Sequence, residues 1–374
     1  MANSANVTVL HYVGYDRDHG GIVSIVRALA ATEKFRCVLG VNAGCVQRRT
    51  PPLESCEFPA IAGEGGDLQT FWRARTVAQS VRAWLADAPN RIFHGHSRAG
   101  LAVACWLQFA GERRVVASVH CYGKRRWFYR WSARRLGGRF FWLTPAMKRY
   151  YGVEGGDGHW AQCIPGCVPL PKEEVRWRRP AGSSALVRIG GVGALVSWKQ
   201  WDLVLDALRR LSPAAQGRIR FAHIGGTDGS RDSDVYAETL RRRTVALGLR
   251  RIVEWRGEQP SADAFLREQD CLVSPACQEP FSIAVLEALA LGVPVLAANS
   301  GGAADVIQPS RNGWLFRSGD PSDLARAFER LIDSDAWQTV ASGPEALRRF
   351  SADVVGDEWA QVYARVLGRS GRLL

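Results

Sequence analysis

Two carboxylates eight positions apart, Glu279 and Glu287, lie in the segment 270–299, DCLVSPACQEPFSIAVLEALALGVPVLAAN. A carboxylate accepts two hydrogen bonds side by side, so each can hold a pair of adjacent hydroxyls. The surrounding residues say how they are positioned. Apolar runs at 270–276 and 294–298 flank a helical pattern, which reads as strand, loop, helix, strand. Pro280 fits a first helical position, Ser282 can cap the opening turn, and Gly292 with Pro294 closes the helix. The helix is therefore expected to begin just after Glu279 and to carry Glu287 about two turns inside. Its free amides, at Phe281, Ser282 and Ile283, point toward the carboxyl end of a parallel sheet, where the helix dipole favours a phosphate. A sugar, a diphosphate and a ribose suit that arrangement. Spacing alone does not establish it, because two glutamates so placed on a helix are ordinarily solvated surface.

The string EPFSIAVLEALALGVPVLA, with its Gly-x-Pro-Val and the Gly301-Gly302 turn that follows, resembles the retaining GT-B glycosyltransferases of family 4, the glycosyl transferases group 1. The resemblance implies an α/β fold of two Rossmann-like domains facing across a cleft. It places Glu279 on the donor sugar and Glu287 on the ribose. It also gives a role to His120, which closes the strand in ASVHCYG and matches the family histidine that faces the donor sugar. Lys199 occupies the position of the family lysine that neutralises the leaving diphosphate. Ala194 stands where the family has arginine, so one cation is missing unless Arg188 or another arginine reaches in.

The 374 residues suffice for two domains with separate cores. The run 7–13 is too short for a cleavable signal and reads as a first strand, and no apolar run is long enough to span a bilayer. A cytoplasmic protein is expected, able to sit on the inner face of the membrane. Nine cysteines, scattered through strands and helices, fit reduced, mostly buried thiols; Cys163 and Cys167 lack a second ligand pair, so no zinc site is read there. The net charge of +13 favours anionic partners: membrane phospholipid, phosphorylated glycan or nucleic acid. Nucleic acid is excluded as a partner by the lack of any RNP-like strand, finger spacing or zipper.

The first half alternates strands (7–13, 37–42, 91–94, 115–119, 140–143) with helices, the pattern of a parallel sheet covered on both faces. After the first strand come Asp18-His19-Gly20-Gly21 and an amphipathic helix at 22–31; Gly20 and Gly21 let backbone approach a ligand, and in the resembled family such a diglycine lies beside donor diphosphate and acceptor. His94 and His96 end one strand and His120 the next. For His94 and His96 hydrogen-bonded core histidines are the reading, and a metal triad of the three is disfavoured because the strands carry no acidic partner. In the stretch 124–142, KRRWFYRWSARRLGGRFFW, helical spacing puts Trp127, Phe128 and Trp131 on one arc and Arg126, Arg130 and Arg134 on the opposite flank. Rings ringed by guanidinium groups suit a lipid interface. The alternative is a core helix with solvated arginines. The resemblance favours the membrane.

Prolines 165, 169 and 171 and the charged run 172–180 mark a linker. The domains are thus expected at 1–170 and 181–350, and the resemblance implies that a terminal helix at about 355–374 crosses back to the first. In place of the family's Pro-Asn-Gly-Val the chain has Pro165-Gly166-Cys167-Val168. The second half repeats the alternation, with strands at 185–189, 220–225, 252–255, 270–274, 294–298 and 314–316. Ile189-Gly190-Gly191-Val192-Gly193 departs from a dinucleotide fingerprint at its third glycine, where Val196 stands. Gly225 opens a glycine-rich loop expected to line the nucleotide cleft.

The function these observations and the resemblance imply is a retaining, metal-independent hexosyl transfer without a cofactor. A nucleoside-diphosphate sugar, with UDP favoured, is the donor, and a glycan or lipid-linked molecule of cell-surface polysaccharide or lipopolysaccharide synthesis is the acceptor. Two alternatives remain open: a GT-B nucleotide-sugar epimerase, and a sugar-nucleotide-binding subunit without turnover.

Overall fold

Short apolar runs, buried on both faces and separated by helices, cannot pair as hairpins and assemble instead into parallel sheets. The computed structural model describes residues 7–18, 20–65, 68–153, 162–171, 186–309, 311–333 and 347–368. The expected linker run 172–180 lies outside them. The chain divides into two units, Met1–Pro169 with Arg349–Leu374, and Leu170–Arg348.

The first unit contains β1 (Thr8–Tyr12), β2 (Arg36–Asn42), β3 (Ser55–Phe58), β4 (Arg91–Gly95), β5 (Val115–Val119), β6 (Phe140–Trp142) and β7 (Gln162–Cys163). All neighbours pair parallel, in the order β3-β2-β1-β4-β5-β6-β7. The helices are α1 (Gly20–Ala30), α2 (Leu68–Ala86), α3 (Arg98–Phe109), α4 (Arg126–Leu136) and α5 (Pro145–Tyr151). Helix α1 begins at Gly20, so the diglycine is the first turn of the helix rather than a loop before it. Asp18, just ahead of the helix, ties it to the 48–49 loop: its buried carboxylate accepts from the amides of Arg48 (2.7 Å) and Arg49 (3.0 Å) and from Arg27 in the last turn of α1.

The second unit contains β8 (Val187–Val192), β9 (Ile219–Ile224), β10 (Val253–Trp255), β11 (Cys271–Ser274), β12 (Val295–Ala298) and β13 (Gly313–Phe316), again all parallel, in the order β10-β9-β8-β11-β12-β13. Its helices are α6 (Trp201–Arg210), α7 (Pro213–Gly217), α8 (Arg231–Ala246), α9 (Asp263–Arg267), α10 (Ile283–Ala290), α11 (Ala303–Val306) and α12 (Pro321–Asp333). Trp201, Leu208, Phe221, Leu240 and Phe328 centre its core. Gly190 and Gly191 lie inside β8 and serve packing: a Cβ at the first would meet Gln269 and Phe265, at the second Trp201 and Phe221.

The last helix, α13 (Ala352–Val366), belongs to the first unit. It packs on α1, and the chain before it bridges Val168 through Ser351. Trp359 and Tyr363 are buried there. None of the nine cysteines is in a disulfide; Cys37, Cys105, Cys167 and Cys271 are buried and the other five half-buried. No helix among the described residues is long and apolar enough to cross a membrane.

Candidate functional site

In each sheet the strand order reverses once, between β1 and β4 and between β8 and β11. In open α/β sheets the crevice at such a reversal, beyond the carboxyl ends of the strands, is where ligands bind. The residues predicted for the donor site lie after strands of these two sheets.

In the second unit, Lys199 follows β8 and Glu279 follows β11, and the two side chains form an ion pair. Glu279 is 5 % exposed. A single 3-10 turn, Ser197–Lys199, presents the lysine, whose ammonium also sits 4.5 Å from the centre of the Trp198 ring. The loop bearing Glu279 is tied to that turn, since the Cys277 amide donates to the Trp198 carbonyl (3.3 Å). On its other side the Gly302 amide donates to the Glu279 carbonyl (2.7 Å). A side chain at Gly301 or Gly302 would collide with the backbone of Glu279 or Pro280, which is why the diglycine stands there. Gly193 and Gly225, at the ends of β8 and β9, touch in the same way: a Cβ on Gly225 would fall 1.9 Å from the Gly193 carbonyl oxygen.

Helix α10 begins at Ile283, three residues later than expected. Ser282 is its N-cap by backbone conformation, but its side chain makes no capping bond, and Pro280 and Phe281 belong to the preceding loop. Phe281 is buried, so its ring holds the loop down instead of extending the helix. The helix-start donors are consequently the amides of Ile283, Ala284 and Val285. Glu287 is the fifth helical residue, just over one turn in and half-buried.

The missing arginine is not replaced by Arg188. That residue sits near the beginning of β8, at the far end of the strand from Lys199, opposite Arg220 of β9, and the two line a cavity of about 390 Å³ with Arg250, Arg256 and Glu254. The carbonyl of Ala194 itself accepts from the Trp201 indole (3.0 Å). Sequence reasoning also passed over His223, buried between Trp201 and Trp255 with both ring nitrogens unpartnered. Burial pushes its imidazole down to about 3.

In the first unit, Gly20 and Gly21 open α1 and four histidines crowd the sheet reversal. His94 and His96 are hydrogen-bonded core residues, as read from the sequence. His11 of β1, which gave no signal there, joins them. His11 Nδ1 lies 2.9 Å from His96 Nε2, and His96 Nδ1 lies 3.0 Å from His120 Nε2. The His94 ring lies tilted against that of His96, centroids 3.9 Å apart, and uses both its nitrogens, toward the Tyr363 hydroxyl (2.8 Å) and the Ser118 hydroxyl (2.5 Å). Burial drives His11 and His120 to about 3 and, with the neighbouring imidazoles, holds His94 and His96 well below the usual histidine value. His11, His94 and His96 each offer a nitrogen within 4.8 Å of the others, a spacing open to a metal ion, but His94 and His96 commit both nitrogens to hydrogen bonds.

The aromatic arc of α4 is a surface feature. Trp127 is 63 % exposed, Phe128 and Trp131 are half-buried, and the helix buries Tyr129, Ser132, Ala133 and Leu136 instead. Arg134 is exposed and Arg130 half-buried. Helices α2 and α3 extend the patch. Phe71 meets Trp106 at 5.3 Å and Phe128 at 6.0 Å, Phe109 meets Trp131 at 5.8 Å, and Leu68, Trp72 and Phe109 are exposed. Arg75 and Arg135 lie over Trp106 and Phe109.

Residues 186–348 match the family described as glycosyl transferases group 1. A phosphatidyl-myo-inositol mannosyltransferase of Mycobacterium leprae is 24% identical over 93% of this chain and 93% of its own. A D-inositol 3-phosphate glycosyltransferase of Streptomyces scabiei is 32% identical over 47% of this chain, which spans only 40% of that relative. Among solved structures, Anabaena HepE in complex with UDP and glucose superposes with a TM-score of 0.74 at 16% identity, covering 96% of this chain and all of that one. Sucrose-phosphate synthase from Thermosynechococcus elongatus gives 0.76 at 16% identity, covering 98% of this chain and all of that one. Two parallel sheets of seven and six strands, a group 1 match across the second of them and GT-B neighbours along the chain's length make one assignment: the chain has the α/β two-domain GT-B fold, and its segment 186–348 is of the glycosyl transferases group 1 type.

Proposed function

We propose that this glycosyltransferase moves a hexose from a nucleoside-diphosphate sugar, with UDP the favoured base, to a glycan or lipid-linked acceptor of cell-surface glycan synthesis, with retention and without a metal. The observation that carries the reading is the Lys199–Glu279 ion pair at the reversal point of the second sheet, beside the start of α10. A lysine and a carboxylate so paired are preorganised in the resting protein. When the donor binds, Lys199 turns to the diphosphate and Glu279 is released to accept from sugar hydroxyls. As the bond between the anomeric carbon and the diphosphate oxygen breaks, negative charge grows on that oxygen, and the lysine with the amides of Ile283, Ala284 and Val285 stabilises it. The acceptor hydroxyl forms the new bond to the anomeric carbon on the same face and gives its proton to the departing diphosphate oxygen. Glu287 holds the ribose, and the resemblance gives His120 and the Gly20-Gly21 turn the role of donor-sugar contacts. The curated relatives named above act on inositol lipids or inositol phosphate, which supports an acceptor of that polar, anionic kind. The aromatic patch on α2, α3 and α4 brings such an acceptor within reach by holding the protein on an anionic membrane surface.

A second reading, a nucleotide-sugar-binding subunit without turnover, is favoured by Ala194, because Arg188 faces the other end of the strand. One experiment separates them. Thermal shift against UDP-, GDP- and ADP-sugars identifies the base, and acceptor-dependent release of nucleoside diphosphate reports turnover. The transferase reading expects both, with Glu279→Ala lowering transfer at least a hundredfold. Binding without release selects the second reading; intact transfer by Glu279→Ala rejects the site.

A further inference from the structure

His96 touches two other imidazoles, His11 through Nε2 and His120 through Nδ1. A nitrogen-to-nitrogen hydrogen bond holds one proton, and a neutral imidazole carries one N–H. Burial keeps all three rings neutral at physiological pH. Three protons therefore serve two gaps, and the third must sit at an end of the row. If His11 donates from Nδ1, then His96 accepts at Nε2 and donates from Nδ1, and His120 is left protonated on Nδ1. If His120 donates from Nε2, every step reverses and His11 is left protonated on Nε2. No other arrangement keeps both bonds. The row has two states, and its three rings change tautomer together.

The inner end selects between them. His11 Nε2 is buried without a partner. In the second state it is a buried N–H lacking an acceptor, the rarer and costlier orphan; in the first it is a bare lone pair. The outer end is different, since His120 is half-buried and its Nδ1 has no partner among the described residues. His94 stays out of the row, its nitrogens engaged by Tyr363 and Ser118, and its ring braces His96 from the side.

We propose that His11 and His96 are positioning residues that fix His120 as its Nδ1–H tautomer, so that the row offers a hydrogen-bond donor to an oxygen of the bound sugar, a hydroxyl acting as acceptor. This rests on the reading of His120 as a donor-sugar contact. A sugar oxygen is thereby recognised by a donor set two rings deep, and the side chain that chooses the direction never touches the ligand.

Two-bond proton–nitrogen correlation spectra of the full chain labelled with nitrogen-15 histidine, taken without ligand, read the tautomers directly. His11, His96 and His120 should share the pattern of protonation on Nδ1. In His96→Leu, His120 should show converging Nδ1 and Nε2 shifts. That variant should keep its thermal shift with the nucleoside diphosphate while kcat falls roughly tenfold, the loss of one oriented hydrogen bond. Unlike tautomers in the three wild-type rings overturn the proposal, and that spectrum needs no variant to fold. Zinc that shifts His11 and His96 at one equivalent overturns it too, replacing the row with a metal site. A uniform Nδ1–H row in a protein that binds no nucleotide sugar upholds the row and overturns the function above.

Discussion

Lys199 and Glu279 stand 80 positions apart and meet because β8 and β11 are neighbours at the point where the sheet reverses. The carboxylate is nearly enclosed and the ammonium largely so, with side chains 7% and 17% exposed. Removing one partner leaves the other poorly solvated, whereas removing both does not. Lys199→Met should therefore cost about 3 kcal/mol of stability, and Lys199→Met with Glu279→Gln should recover most of it. Urea midpoints of the two single variants and the double one give the coupling. Single variants each within 0.5 kcal/mol of the parent, with additive effects, would show that the pair is solvated and not preorganised, on the ordinary scale of exposed ion pairs. Both residue types were readable from the sequence, because each sits in a family motif. Their pairing was not, since it is fixed by strand order. His11 and His223 were invisible for a related reason: each is a lone histidine in an apolar strand, and only packing shows what surrounds it.

At the scale of elements, periodicity located most strands within a residue or two and failed where its premises fail. Strand β3 is SCEF at the edge of its sheet, with one fully buried residue, and β7 is two residues long, so neither makes an apolar run. The starts of α1 and α10 were misplaced in opposite directions. Gly20 and Gly21 look like loop residues and are helical, whereas Pro280 looks like a first helical residue and lies in a loop held by Phe281 and Gly302. In α4 the pattern gave the face correctly, but the reach of the patch depends on α2 and α3, which the sequence could not place beside it. That reach makes a prediction. Trp72 of α2 and Trp127 of α4 are 59% and 63% exposed on a patch with arginines around it. If the patch meets a membrane as one surface, Trp72→Ala should weaken co-sedimentation with phosphatidylglycerol vesicles about as much as Trp127→Ala, roughly fivefold each for the loss of one interfacial ring. High salt should weaken binding further through the arginines. Vesicle binding that responds to Trp127→Ala and ignores Trp72→Ala would confine the contact to α4; binding that ignores both would remove it.

For the whole molecule, the buried histidines set how it fails in acid. Five histidines lie among the described residues: His11, His94, His96 and His120 in the first unit and His223 in the second. Each is held below its ordinary value by burial, so the folded protein keeps it neutral while the unfolded chain takes up a proton as pH falls through about 6.5. The sign follows: the unfolded state binds more protons, and stability is lost as pH drops from about 6.5 toward the folded values near 3 for His11, His120 and His223. One such group costs about 1.4 kcal/mol per pH unit across that window. The depressed carboxylates, Asp18 and Glu112 in the first unit and Asp228 and Asp323 in the second, begin to act only within the ordinary carboxylate range at about 4, and Glu64 and Glu358 of the first unit, raised by burial, offset part of the histidine loss, so between about pH 6.5 and about 5 the four-to-one histidine difference governs. With four against one, the first unit should lose stability several times as steeply as the second. Peptide-resolved pulse labelling after equilibration in urea at pH 7.5 and pH 5.5 measures each unit separately. The midpoint for peptides of β1, β4 and α13 should fall well below that for β8, β9 and α6. Equal falls would mean that the imidazole row takes up protons without unfolding, and a larger fall in the second unit would place the acid-sensitive core around His223 instead.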